Sequence, residues 1–153
     1  MIKKLLINNA HKHASQWLVL AIDIAITLIN FFLAYVIRYG ITLDFDKSTL
    51  IYQIPIIAVI SSISFLIVGS YKGVVRHTGL RDAYNLFLAV SIVLAICGGL
   101  MLVGRVYYFP EYLYIPVSVI SVHYLLNIIN LTLSRLVFKY CYYYIKSKLG
   151  DTS

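Results

Sequence analysis

Four stretches of this chain stay apolar for about twenty residues each, the length a helix rising 1.5 Å per residue needs to cross a bilayer's hydrocarbon core. They run from Trp17 to Ile37, Leu50 to Val68, Ala83 to Val103 and Tyr112 to Leu133. Gln53 and Pro55 interrupt the start of the second, and proline is tolerated near a helix entrance. The runs are continuously apolar, whereas a lipid-facing strand would carry a polar residue at every second position. Helices therefore cross the membrane here, not a barrel. Composition agrees: 61% of residues are hydrophobic and 12% charged, with a mean hydropathy of +0.85. A soluble domain is about half apolar and about a quarter charged. The expected fold is an all-α membrane protein, a four-transmembrane-helix bundle.

Charge sets the orientation. Lys3, Lys4 and Lys12 precede span one; Lys72, Arg76 and Arg81 lie between spans two and three; Arg135, Lys139, Lys146 and Lys148 follow span four. The other two loops hold only Arg38, Lys47 and Arg105. Basic residues in short loops stay on the cytoplasmic side, so both termini are expected inside. Residues 1–16 then form a cytoplasmic segment, 17–133 the membrane domain and 134–153 a basic cytoplasmic tail. Trp17, Tyr35, Tyr39, Tyr71, Tyr107, Tyr108, Tyr112 and Tyr114 fall near the span ends, where an aromatic ring sits well among head groups. The net charge of +7 flanks apolar spans and forms no continuous stripe, which argues for anionic phospholipid and against nucleic acid as its partner. The first span is longer than a signal peptide's apolar region and reads as a retained anchor.

Few residues are arranged for chemistry. Cys97 and Cys141 fall at different depths, without metal-ligand spacing, and a disulfide between them is not expected. The sequon at Asn130, Leu131 and Thr132 lies inside a span and should be inert. Tyr142 and Lys146 have the spacing of a short-chain dehydrogenase pair, but no Gly-x-Gly-x-x-Gly precedes them. No paired carboxylates, Ser/His/Asp set or metal cluster appears, so no catalytic, cofactor or metal residue is assigned. Two candidate sites remain. The inner loop gathers Tyr71, Lys72, Arg76, His77 and Arg81, a candidate surface for a phosphate, a lipid head group or a partner; Asp82 is a candidate to cap the helix that follows, and Thr78 is the better one for a helix beginning near Gly79. Asp23 stands inside span one, where a carboxylate is costly without a partner, and Arg135 near the inner end of span four is the candidate. Span four also carries Ser118, Ser121, His123, Asn127, Asn130 and Ser134, residue types that bond helices to one another in membranes.

The run Ser70-Tyr71-Lys72-Gly73-Val74-Val75-Arg76-His77-Thr78-Gly79-Leu80-Arg81-Asp82 resembles a loop of the bacterial membrane-bound nucleoside-diphosphate-sugar epimerases/4,6-dehydratases of capsule and O-antigen synthesis. His77 stands where that family more usually has an aromatic residue. Asp23 with Ala34-Tyr35-Val36-Ile37-Arg38 is similar to the family's first helix. Ile115-Pro116-Val117-Ser118 and Ser134-Arg135-Leu136 are similar to the opening and close of its last. The resemblance implies a membrane-anchoring module in the bacterial inner membrane, near glycan machinery that works on polyprenyl phosphate. It also implies that the NAD(P)-binding catalytic domain lies beyond the basic tail, absent from this chain. Polyprenyl-phosphate hexose-1-phosphate transferases share the four-helix start and are the second reading. A small stand-alone membrane protein, acting in transport or as a scaffold, is the third, and a homo-oligomer is compatible with each.

Overall fold

The computed structural model describes residues 2–40, 46–71, 80–108 and 110–150, with side chains for all of these except residues 2–15, 112, 142, 145, 146 and 148–150. Four helices account for most of them: α1 (Ile2–Tyr39), α2 (Lys47–Val68), α3 (Leu80–Val106) and α4 (Val117–Gly150). Each contains a segment long and apolar enough to cross a membrane: Gln16–Tyr39, Lys47–Val68, Leu80–Val106 and Val117–Cys141. In hydrocarbon every backbone N–H and C=O must be bonded internally, and a helix does this within one segment. The chain is a multi-pass membrane protein.

The helix ends follow local chemistry. Asp46 caps α2, its Oδ1 accepting from the Ser48 N–H at 3.1 Å. The Ser48 side chain, together with that backbone bond, holds the exposed Asp46 carboxyl below the usual carboxylate range. At the other end Gly69 takes a left-handed φ of 68°, and its N–H returns to the Phe65 carbonyl at 3.0 Å. Pro55 lies well inside α2, where it cannot donate to the Ile51 carbonyl.

Span four opens later than the apolar run at Tyr112 suggests. Glu111–Leu113 is a single 3-10 turn, residues 114–116 are not helical, and α4 starts at Val117. Pro116 is the reason. It restricts Ile115 to extended backbone, and its own carbonyl accepts from the Val119 and Ile120 N–H groups that begin the helix. The terminal segments are helical as well: α1 already runs from Ile2, and α4 continues without a break to Gly150.

The helices pack in a ring: α1 on α2, α2 on α3, α3 on α4, and α4 back on α1. The interior has two apolar layers. One gathers Leu20, Phe65, Leu86, Ala89, Val90 and Leu131, one end of the bundle. The other holds Phe31, Ala34, Ile57, Val93, Cys97 and Val119 toward the opposite end. Cys97 is buried, Cys141 is exposed, and both are free thiols.

Candidate functional site

Between the two apolar layers the α1/α4 interface is polar. Asp23, Thr27 and Asn30 repeat every three or four residues and so share one face of α1, as do His123, Asn127 and Asn130 on α4. Asn30 is the junction. Its Nδ2 donates to Asn127 Oδ1 at 2.8 Å, and its Oδ1 accepts from Asn130 Nδ2 at 2.6 Å. Asn127 Nδ2 lies 2.9 Å from His123 Nε2, which in turn lies 3.1 Å from the Thr27 carbonyl oxygen. The Thr27 hydroxyl donates to the Asp23 carbonyl at 2.8 Å, and the His123 ring meets Phe31 edge-on at 5.4 Å.

His123 Nε2 cannot donate to Thr27 and accept from Asn127 at once. With Nε2 bare, the amides point Asn130 to Asn30 to Asn127 to His123. With Nε2 protonated, it donates toward Thr27 and Asn127, and all three amides turn to match. Direction along this chain is therefore tied to the histidine tautomer. The cavity beside His123 and Asn127 has a volume of only about 10 Å³, at the lower limit for one water. These polar groups spend their bonding on one another.

Asp23 and Arg135 meet beside this chain. Arg135 Nη2 lies 2.5 Å from Asp23 Oδ2, with Asp23 fully buried and Arg135 7% exposed. The pair is incompletely satisfied: Asp23 Oδ1 and Arg135 Nη1 are buried without a hydrogen bond. Asp82, in the first turn of α3, lines a groove with Arg135, and its buried Oδ2 also has no partner. Thus Asp82 sits inside the first helical turn, past the capping position, while Thr78 lies outside the described residues.

The inner-loop candidates divide. Tyr71 stacks on Trp17 of α1, with ring centroids 6.5 Å apart and planes 24° from parallel. Arg81 is exposed on the first turn of α3. Lys72, Arg76 and His77 lie outside the described residues. Among the described residues no group of three His, Cys, Asp or Glu side chains is placed to hold a metal.

A second polar cluster centres on the start of span two. Gln53, which interrupts the apolar start of span two, is fully buried. The Tyr35 hydroxyl donates to its Oε1, and its Nε2 donates to the Tyr114 carbonyl at 3.2 Å. Gln53 thereby ties α2 to α1 and to the non-helical stretch before α4. The available signal was the isolated glutamine itself, since an uncharged polar side chain in a span needs partners. Comparison with family models, curated proteins and solved structures finds no match to this chain.

Proposed function

We propose that this bundle is a membrane-anchoring module that holds a sugar-nucleotide-modifying enzyme at the inner face of a bacterial cytoplasmic membrane. The observation that carries this reading is the continuity of α4. One helix runs from the bundle interior past Cys141, the end of its apolar segment, to Gly150. At helical rise that extension is roughly 13 Å, enough to carry a load clear of the head groups. The polar seam supports a static role, because its groups bond to each other across α1 and α4 and leave about 10 Å³ beside His123. A transport route would need those groups to face a water-filled path.

The kind of load follows from the resemblance of the stretch Ser70 to Asp82, and of the first and last spans, to the epimerase/4,6-dehydratase family. In this reading NAD(P) is bound by the catalytic region and not by the four helices. Anionic phospholipid and polyprenyl-phosphate-linked glycan machinery are the neighbours in this reading, and the stretch that holds Tyr71, Lys72, Arg76, His77 and Arg81 is the part of the sequence assigned to them.

The test is to delete residues 17–133 in the cell that makes the protein and assay membrane and soluble fractions for nucleoside-diphosphate-hexose 4,6-dehydration. The activity should leave the membrane fraction. An unchanged distribution rejects the reading, and loss of hexose-1-phosphate transfer to polyprenyl phosphate in its place identifies the transferase family as the better one.

A further inference from the structure

Where α3 begins and the apolar part of α4 ends, the two helices leave a groove of about 270 Å³. Leu80, Leu86 and Leu136 contribute apolar walls, and Asp82, Arg135 and Lys139 contribute charge. By the distribution of Lys and Arg this is the cytoplasmic end, so the groove stands at head-group depth.

Two polar atoms of residues that line it are buried and unmet. Arg135 is more than nine-tenths buried, and while Nη2 holds Asp23, Nη1 has no partner. Asp82 Oδ2 is shut away without a donor. Leaving either unbonded carries a desolvation penalty, and a ligand offering both an anionic oxygen and an N–H cation would remove both penalties once the two side chains turn into the groove.

Charge narrows the class. Asp23 and Asp82 offset Arg135 and Lys139, so the cluster has no formal net charge. A phosphatidylglycerol head group would satisfy Arg135 but offer Asp82 only neutral hydroxyl donors, without the charge of an ammonium. A choline head group brings a cation that has no N–H to give. A phosphoethanolamine head group brings phosphate oxygens and a primary ammonium a few bonds apart, and its acyl chains suit the leucine walls.

We propose that this groove binds a phospholipid with a phosphoethanolamine head, the phosphate received by Lys139 and the Arg135 guanidinium and the ammonium by the Asp82 carboxylate, with the Arg135 and Asp82 side chains turning to meet it. The site requires that the bundle cross a membrane and does not depend on the enzyme-anchoring reading.

The experiment is native mass spectrometry of the full chain released from nanodiscs containing equal parts of phosphatidylethanolamine, phosphatidylcholine and phosphatidylglycerol. The ethanolamine lipid should be retained at least about five-fold over either competitor, the scale of one charge-assisted hydrogen bond. Asp82→Asn, close in shape, should abolish that preference and shift retention toward phosphatidylglycerol. Leu136→Trp changes no charge at a position already 57% exposed, and by filling the groove it should lower retention of the ethanolamine lipid. Equal retention of the three lipids by the unaltered chain overturns the proposal. So does an unchanged ethanolamine-to-glycerol ratio in Asp82→Asn, or undiminished retention in Leu136→Trp.

Discussion

The α1/α4 and α2/α3 interfaces solve the same packing problem with different chemistry. Across α1 and α4 run an ion pair and a chain of amides with a histidine. Across α2 and α3 the buried side chains are mainly apolar: Ile57, Ile60 and Phe65 on one helix, Leu86, Ala89, Val90, Val93 and Cys97 on the other. The buried polar groups of α2 at this level do not reach across. Ser64 donates back to the Ile60 carbonyl at 2.8 Å, and Ser61 Oγ has no partner. Lipid tails are as apolar as leucine, so apolar burial alone gives helices little reason to choose one another. Helices α2 and α3 follow one another in the chain, and a short connection already holds them close. Helices α1 and α4 are the first and last, with Asp23 and Arg135 112 positions apart. The closing interface has no short tether, and directional polar bonds supply its register.

The sharpest way to break this contrast is to remove one member of the ion pair. Asp23→Ala leaves a buried guanidinium without its counter-charge and should cost roughly 3 kcal/mol or more, read by reversible unfolding in mixed micelles. Asp23→Arg combined with Arg135→Asp should recover at least half of that loss; a double variant no better than either single one would deny the pair its role. Next, Asn30→Leu removes the partner of both Asn127 and Asn130 and should cost about 1–2 kcal/mol. Ser64→Ala on α2 should be close to neutral in the same assay, and equal losses at the two positions would erase the distinction between the interfaces. At the apolar interface, Ile57→Val deletes one methylene and should cost about 1 kcal/mol through the gap it leaves.

The smallest effect concerns pH. Because the Asp46 carboxyl is held below its usual range in the folded chain, its cap is complete at neutral pH and is lost only as pH falls through that lowered value. Amide exchange at Ser48, corrected for the intrinsic pH dependence, should stay protected until then. In Asp46→Ala the protection should be absent at every pH.

Much of this architecture is legible in the sequence because lipid is a demanding solvent. It fixes how long an apolar run must be, and it makes a charge such as Asp23 conspicuous enough to prompt a search for Arg135. The seam was half legible. His123, Asn127 and Asn130 are recognisable as residues that bond helices, but their partners on α1 are not. Thr27 and Asn30 share a face with Asp23, and a face says which way a residue points without saying which helix it meets. Gln53 shows the same limit, since one of its partners is the Tyr114 main-chain carbonyl, which carries no sequence signature. The start of α4 was misplaced because Tyr112 to Ile115 is apolar enough to belong to a span, and only the geometry forced by Pro116 excludes it. In the sequence Asp82 is only the second candidate for a helix cap, and its place beside Arg135 depends on how α3 and α4 approach each other.

The unbroken course of α4 to Gly150 has an angular consequence. A helix turns by about 100° per residue, so a load fixed to it has a definite heading around the bundle axis as well as a height above the membrane. Arg135 is the reference mark, because its bond to Asp23 fixes the rotation of α4 at the point where it leaves the bundle. Inserting one residue between Cys141 and Gly150 would swing the load about a quarter turn, whereas seven would return it nearly to its first heading, one heptad further out. In the proposed anchoring role, a domain joined to this helix would be aimed like a compass needle, its bearing set inside the membrane.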